Sequence, residues 1–130
     1  MRALVVDDSR AVRLILVRTL TRLGFEVYEA RDGREALDLL AVDGDDTTLV
    51  LVDSNMPVMN GLDLVTAVRA DERLRHIKLI MVTTETERAN VLSALAAGAQ
   101  EFVTKPFIPD AIADKLAVLG VSSDYAPVPA

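Results

Sequence analysis

The stretch Leu49–Pro57, LVLVDSNMP, decides the fold, because a short apolar run ends there at a carboxylate and a proline. The continuous run before Asp53 is typical of a strand that is buried on both faces, as in a parallel sheet. Pro57 has no N–H to donate to a sheet ladder, so the strand must end before it. Asp53 either starts a turn, as aspartate often does, or lies at the sheet edge where open α/β folds bind ligands.

Length, composition and charge limit the class of protein. The 130 residues, 51% of them hydrophobic, suffice for one globular domain with a buried core. The absence of cysteine excludes a disulfide framework and a thiolate metal site. The apolar run Ala3–Val6 is too short for a signal peptide, and no stretch approaches the roughly 20 apolar residues of a membrane span, so we expect a cytoplasmic protein. The net charge of −6 argues against direct nucleic-acid binding.

Short apolar runs alternate with amphipathic stretches along the chain, which is the pattern of βαβ units. We expect strands at Ala3–Val6, Phe25–Ala30, Thr48–Val52, Lys78–Val82 and Glu101–Thr104. We expect helices at about Ser9–Leu23, from Asp32 onward, at Asn60–Ala70, at about Glu87–Ala97 and at Pro109–Leu119. Right-handed crossovers between the strands then predict an α/β fold, with a parallel sheet covered on both faces. Residues 1–120 are expected to form one domain and residues 121–130 a frayed tail.

Some local patterns predict which side chains are buried. The first helix is expected to bury one face at helical spacing, formed by Val12, Ile15, Leu16, Thr19, Leu20 and Leu23. Leu14 and Val17 lie away from that face, either as a docking patch or as the scattered apolar residues that surfaces normally carry. The acidic segment Asp43–Asp46 is expected to be a solvated turn, and His76 to be a surface residue in a polar connection.

Four of the expected strands end in polar residues. These are Asp7 and Asp8 after the first strand, Asp53 after the third, Thr83 and Thr84 after the fourth, and Lys105 after the fifth. Parallel strands end at the same edge of a sheet, and neighbouring strands lie about 4.8 Å apart. If the first, third, fourth and fifth strands are adjacent, all these groups fall within one small site.

The carboxylates of this site predict a metal ion. Three carboxylates in one cleft repel one another, and a hard divalent cation relieves that repulsion. Mg²⁺ prefers a few carboxylate oxygens together with water and phosphate oxygens, so we expect Asp8 and Asp53 as direct ligands and the Asn55 backbone carbonyl as a further one. Asp7 is expected to act through water, because successive strand residues point to opposite faces.

The remaining groups of the site favour phosphoryl transfer. A carboxylate such as Asp53 can attack a phosphoryl group and hold it as an aspartyl phosphate. Lys105 offers a compact cation for a phosphate oxygen, and the Thr83 hydroxyl can donate to another. In such a transfer, positioning and charge stabilisation do most of the catalytic work.

These residues carry a family resemblance. The segments Leu4–Ser9, Asp53–Gly61, Val82–Thr84 and Thr104–Phe107 resemble the motifs of a response-regulator receiver domain of two-component signalling, especially its single-domain, CheY-like form. The resemblance covers about residues 3–119. It implies a (βα)5 flavodoxin-like three-layer α/β/α sandwich with strand order 2-1-3-4-5, a receiver domain at 1–120 and no output domain of its own.

The resemblance also implies a role for each site residue. Asp53 is similar to the phosphoacceptor, and Asp7 and Asp8 are similar to the acidic pair that holds Mg²⁺. Thr83, with the adjacent Thr84, is similar to the switch hydroxyl region, and Lys105 to the lysine that senses the phosphoryl group. The Lys105–Pro106 peptide bond is typically cis in this family. Asn55 and Glu85 match the pair that positions water against the acyl phosphate, although Glu85 can equally be an exposed residue before a helix. Phe102 occupies the switch-aromatic position, without the hydroxyl of tyrosine, and can equally be a packed strand residue.

Several functions remain open at this point. The resemblance implies a histidine kinase or histidine phosphotransferase as donor and a downstream target on the face of the fourth helix, fifth strand and fifth helix. The output would be partner binding or relay of the phosphoryl group. A dehalogenase-type phosphatase is disfavoured, because its second motif aspartate is replaced by Asn55, which cannot transfer a proton. A phosphorylation-independent adaptor is disfavoured by the intact set of Asp, Thr and Lys residues.

Overall fold

The computed structural model describes residues 1–84, 88–106 and 109–121. Five strands lie at Arg2–Val6 (β1), Glu26–Ala30 (β2), Thr47–Asp53 (β3), Lys78–Thr84 (β4) and Glu101–Lys105 (β5). Five helices lie at Arg10–Arg22 (α1), Gly33–Asp43 (α2), Gly61–Ala70 (α3), Arg88–Ala97 (α4) and Pro109–Val118 (α5). Over these ranges no helix is long and apolar enough to cross a membrane.

All five strands form one parallel sheet of order β2-β1-β3-β4-β5, which confirms the expected fold. The register pairs Val6 with Val52 and Asp53 with Val82, so β1, β3 and β4 end at one edge. Thr84 is paired with Lys105, which brings the end of β5 to the same edge. The sheet therefore brings the four strand ends that carry the polar residues together at one edge.

The sheet divides the core into two layers. Alternate residues of β3 point to opposite faces: Val50 and Val52 pack beneath α2, α3 and α4, whereas Leu49 and Leu51 pack beneath α1 and α5. All four side chains are fully buried. The unbroken apolar run of this strand is explained by its central place in the sheet, because both of its faces are covered by helices.

The helices begin and end where local chemistry favours it. Ser9, Asp32 and Asn60 cap α1, α2 and α3, each accepting from a backbone N–H in the first turn. The Asp32–Glu35 segment forms the Asp32 half of a capping box, while the Glu35 carboxylate accepts from Arg31. Gly98, with φ of 124°, ends α4 in a backbone conformation that suits glycine.

The buried face of α1 was predicted correctly at most positions and wrongly at two. Leu16, Thr19 and Leu20 are buried, and Leu14 is exposed as expected. Ile15 was expected in the core but is 47% exposed, whereas Val17 was expected outside it but packs against the core beneath α1. The helix packs more closely over β2 than over β5, so Val17 meets the core while Ile15 borders an open cavity.

The acidic segment at 43–46 is more ordered than a solvated turn. Asp43 is the last residue of α2, and its carboxylate accepts a hydrogen bond of 3.0 Å from Arg2. Gly44–Asp46 form a 3₁₀ turn, with Gly44 buried against Leu74 of a second 3₁₀ turn at Glu72–Leu74. Asp45 and Asp46 are exposed in this turn, as predicted, but the burial of Gly44 against Leu74 was not visible in the local pattern.

The packed core extends slightly beyond residue 120. Val121 was predicted to begin the frayed tail, but it is 9% exposed and its N–H donates to the carbonyl of Leu116. Residues 122–130 of the predicted tail lie outside the described residues. The division into a domain at 1–120 and a tail therefore stays a prediction.

Gly61 places the start of α3 directly against the end of β3. A Cβ added at Gly61 would contact the backbone carbonyl oxygen of Asp53 and lie 2.9 Å from the Ser54 Cα. The Gly61 N–H donates to the Ser54 carbonyl at 3.3 Å. This close backbone approach fixes α3 to the strand end that carries Asp53, and it requires a residue without a Cβ.

Gly61→Ala is expected to destabilise the fold by about 1–3 kcal/mol, because the methyl group meets backbone that cannot move independently. The matched control is Gly44→Ala, whose Cβ would meet the end of the flexible Leu74 side chain. Urea unfolding measures both variants. Equal losses for the two variants would contradict the importance of the backbone contact at Asp53.

Candidate functional site

The ends of β1 and β3 bring three carboxylates together. One oxygen from each of Asp7, Asp8 and Asp53 lies within 4.8 Å of the other two. Asp7 and Asp53 are buried, while Asp8 is exposed. The argument that alternation would turn Asp7 away was wrong, because β1 ends at Val6 and strand geometry does not extend to Asp7.

Lys105 bridges two of these carboxylates. Its Nζ lies 3.2 Å from Asp7 Oδ2 and 3.3 Å from Asp53 Oδ1. The lysine comes from the end of β5 and reaches across β4 to the end of β3, as the sheet order allows. The peptide bond between Lys105 and Pro106 is cis, as expected. The ammonium group offsets part of the repulsion between the two buried carboxylates.

Burial and charge change the acidity of this cluster. Burial, with the nearby charge of Asp7, raises the pKa of Asp53 from 3.8 to about 6, although Lys105 opposes the rise. Burial alone would lower the pKa of Lys105, but Asp7 and Asp53 together outweigh it and the pKa is raised. Lys105 therefore carries its charge at neutral pH, while Asp53 holds its charge at a cost in free energy.

The hydroxyl groups beside the cluster lie at the end of β4. Thr83 is 1% exposed, and its Oγ1 accepts a 3.1 Å hydrogen bond from the Ser54 hydroxyl and donates to the Thr84 carbonyl at 3.3 Å. Thr84 is half-buried and lines an open cavity next to Lys105. The contribution of Ser54 was missed, because a serine after a strand normally indicates only a turn.

The two residues predicted to position water against the acyl phosphate, Asn55 and Glu85, are only partly described. Asn55 is exposed, and its backbone N–H donates to Asp53 Oδ1 at 3.4 Å, so Asn55 lies beside the Asp53 carboxylate. Glu85 lies outside the described residues. The roles of Asn55 as metal ligand and of both residues in positioning water remain predictions.

Phe102 is half-buried and is the second residue of β5, the outermost strand on that side of the sheet. It packs against the core layer beneath α2, α3 and α4, and Lys115 of α5 lies over its ring, with Nζ 5.4 Å from the centroid. A cation over an aromatic face is attracted to it by the ring quadrupole. The packed-residue interpretation therefore holds for the described state, and a switching role is a separate prediction.

Two further residues have the predicted exposure. His76 is exposed, with Nε2 2.9 Å from the Thr47 carbonyl at the opposite end of the sheet from the carboxylates. Leu14 is 49% exposed on α1.

An open cavity of about 390 Å³ adjoins α1 and the end of β5. It is lined by Val12, Ile15, Thr84, Lys105 and Pro106. The cavity therefore lies between α1 and the Lys105 end of the site.

The arrangement combines a nucleophile, a cation and hard oxygen donors at one edge. Three carboxylate oxygens within 4.8 Å fit a hard divalent cation. Within the described part of the chain, both hydrogen bonds onto the Asp53 side chain end on Oδ1. The fold and the site together define a receiver domain.

Comparison with known proteins establishes the family. Residues 3–117 match the family model described as "Response regulator receiver domain", and the chain belongs to that family. It is 48% identical over 125 residues to the chemotaxis protein CheY1 of Helicobacter pylori (strain J99), a match that covers 95% of this chain and 100% of that protein. It is 42% identical to the chemotaxis protein CheY of Pseudomonas aeruginosa, over 89% of this chain and 93% of that one.

The fold comparison agrees with the sequence comparison. The crystal structure of the chemotaxis response regulator CheY4 of Vibrio cholerae is similar, with a TM-score of 0.83 and 36% identity. That match covers 91% of this chain and 97% of the other. The acidic pocket of Asp7, Asp8 and Asp53 fits the phosphoaspartate site of this family, whose CheY-type members are signalling switches.

The raised pKa of Asp53 predicts how pH changes stability without metal. The folded state binds this proton more tightly than the unfolded chain, so ionisation of Asp53 destabilises the fold as pH rises from about 4 to about 6. Asp53→Asn removes that cost. We expect it to stabilise the protein by up to about 3 kcal/mol at pH 7.5 and much less at pH 4.

Urea unfolding in buffer with a metal chelator measures this difference at both pH values. Asp38→Asn is the charge-matched control, since Asp38 forms an exposed ion pair with Arg34 and such pairs contribute less than about 1 kcal/mol. A stability change for Asp53→Asn that is the same at pH 4 and pH 7.5 would show that the carboxylate is not strained by its surroundings.

Proposed function

We propose that this protein is a phosphorylation-controlled switch in which Asp53 accepts a phosphoryl group from a histidine kinase or histidine phosphotransferase. The observation that supports it best is Lys105, held 3.2 Å from Asp7 and 3.3 Å from Asp53 at the edge where three carboxylates meet. A purely structural lysine would need one ion-pair partner. Here the carboxylates of Asp7, Asp8 and Asp53 outnumber the one ammonium group, so the site favours a divalent cation, which together with Lys105 would compensate the charge of an incoming phosphoryl group.

The transfer uses the side chain of Asp53 as nucleophile. Its Oδ2 forms a new O–P bond while the N–P bond of the donor phosphohistidine breaks, and the electron pair of that bond stays on the imidazole nitrogen. Lys105 and the Asn55 N–H hold Oδ1, so that the carboxylate is oriented before the donor arrives. After transfer, the Lys105 ammonium can pair with a phosphoryl oxygen.

The cofactor proposed for this site is Mg²⁺. Asp8 and Asp53 would hold it directly, Asp7 through water and Asn55 through its backbone carbonyl. When bound, the ion neutralises charge on the transferred group. The exposed Asp8 is the carboxylate best placed to meet an ion that enters from solvent, because Asp7 already accepts from Lys105 and from the Ser9 N–H.

The output is a change of partner binding that begins at Thr83. Its hydroxyl donates to the Thr84 carbonyl, and we propose that it turns to a phosphoryl oxygen after transfer, together with Lys105. Both residues lie at the ends of β4 and β5, next to the face formed by α4, β5 and α5. Phe102 in β5 carries Lys115 of α5 over its ring, so a shift of β5 would change the surface offered to a target.

The relatives suggest the pathway. The similar proteins of Helicobacter pylori and Pseudomonas aeruginosa are named chemotaxis proteins, and we propose a chemotaxis-like role for this chain in the cytoplasm. The only reaction proposed is phosphorylation and dephosphorylation of the protein itself, with turnover set by Asn55 and Glu85. The net charge of −6 supports a protein target rather than nucleic acid.

Relay of the phosphoryl group to a second histidine protein is the other output. The open cavity beside Lys105 favours it, because Ile15 and Pro106 present apolar surface there on which a partner could pack. Transfer of the labelled phosphoryl group distinguishes the two outputs. A relay protein passes the group to a histidine phosphotransferase, whereas a binding switch keeps it until hydrolysis. A phosphorylation-independent adaptor would take no label.

Acetyl phosphate with Mg²⁺ is expected to add the mass of one phosphoryl group to the wild-type protein and none to Asp53→Asn. Intact-protein mass spectrometry measures this, with Asp38→Asn as a control that should be labelled normally.

Thr83→Ala should still be labelled but should lose the change in β5 amide chemical shifts that follows labelling, and Thr83→Ser should restore that change. Labelling of Asp53→Asn would show that another residue is the acceptor.

A further inference from the structure

Arg13 connects the acidic loop to the edge strand of the sheet. Its Nη1 donates to the backbone carbonyl of Asp7 at 2.8 Å, and its Nε donates to Glu29 Oε1 at 3.2 Å. The Arg13 side chain is only 12% exposed. The residue was not singled out from the sequence, although an arginine near the start of a helix is disfavoured by the helix dipole and so indicates a specific partner.

The carbonyl that Arg13 holds belongs to the peptide group between Asp7 and Asp8. Fixing that carbonyl fixes the peptide plane, and with it the position of the Asp8 Cα from which the side chain extends. Asp7 is held on its other side, because its N–H donates to the Ala30 carbonyl at 3.1 Å and its Oδ1 accepts from the Ser9 N–H at 2.8 Å. Asp8 itself is exposed, so these contacts of the neighbouring backbone and of Asp7 determine where its Cα lies.

Glu29 supplies the fixed end of the contact. It lies in β2 next to Ala30, so both attachments of Asp7 lead to the same strand. A guanidinium group can serve both acceptors because its donors have a fixed planar arrangement, which a lysine ammonium lacks. Glu29 also offsets the charge of Arg13, which would otherwise repel a cation at the neighbouring carboxylates.

We propose that Arg13, anchored by Glu29, is a positioning residue that sets the Mg²⁺ affinity of the Asp7–Asp8 pair. The inference rests on the proposed function, because it concerns the same carboxylates. The positioning role of Arg13 and its positive charge predict opposite effects on Mg²⁺ affinity when Arg13 is removed. Loss of a positive charge near a cation site would tighten Mg²⁺ binding, whereas loss of the backbone contact would weaken it.

The test is a Mg²⁺ titration followed by amide chemical shifts of the wild-type protein and of Arg13→Met. We expect the dissociation constant to rise about ten-fold, in the range found for residues that orient metal ligands. Arg18→Met is the matched control, since Arg18 is exposed on the same helix and its loss changes the net charge equally. Unchanged or tighter binding by Arg13→Met would overturn the inference.

Two further variants separate charge from geometry and remain informative if Arg13→Met does not fold. Arg13→Lys keeps the charge but cannot reach both acceptors, so it should weaken binding nearly as much as Arg13→Met. Affinity retained in Arg13→Lys would contradict a positioning role. Glu29→Gln should weaken binding less, and should have no further effect in the Arg13→Met background, because Glu29 acts through Arg13.

The outcomes for the wild-type protein distinguish this inference from the proposed function. If the wild-type protein does not bind Mg²⁺ at Asp8 and Asp53, the proposed metal site fails and the inference fails with it. If the wild-type protein binds and Arg13→Met binds equally well, only the role of Arg13 fails.

Discussion

The structure depends on one lysine shared by two buried carboxylates. Lys105 lies 3.2 Å from Asp7 and 3.3 Å from Asp53, and without it two buried negative charges would face each other across the sheet edge. Each partner comes from a different strand, so this contact can form only when β5, β3 and β1 have the observed order. The site is thus assembled by long-range topology, and its charges are balanced only in the folded state.

The remaining repulsion is useful for the proposed chemistry. Lys105 does not fully compensate Asp53, whose pKa stays raised to about 6. A site with excess negative charge favours a cation that can complete the compensation. Binding of the proposed Mg²⁺ would offset the repulsion between these carboxylates, so it would also stabilise the folded state.

The sequence was informative wherever one residue type has one strong reason to be present. The apolar run of β3, the helix starts near Ser9, Asp32 and Asn60, and the polar strand ends were predicted because strands, helix starts and sheet edges impose local rules. The errors lie at positions whose burial depends on the packing of neighbouring elements. Ile15 and Val17 both border the buried face of α1, and only its packing over β2 determines which one is buried. The contacts of Arg13 and Ser54 also join distant segments, which no local pattern reveals.

The central claim is that Asp53 carries the phosphoryl group, and the most direct measurement locates the modification. The protein is treated with acetyl phosphate and Mg²⁺, the acyl phosphate is reduced with borohydride, and the modified residue is identified by peptide mass spectrometry. The account predicts homoserine at position 53 and nowhere else. Reduction at Asp7 or Asp8, or no modified residue under conditions that label the intact protein, would contradict it.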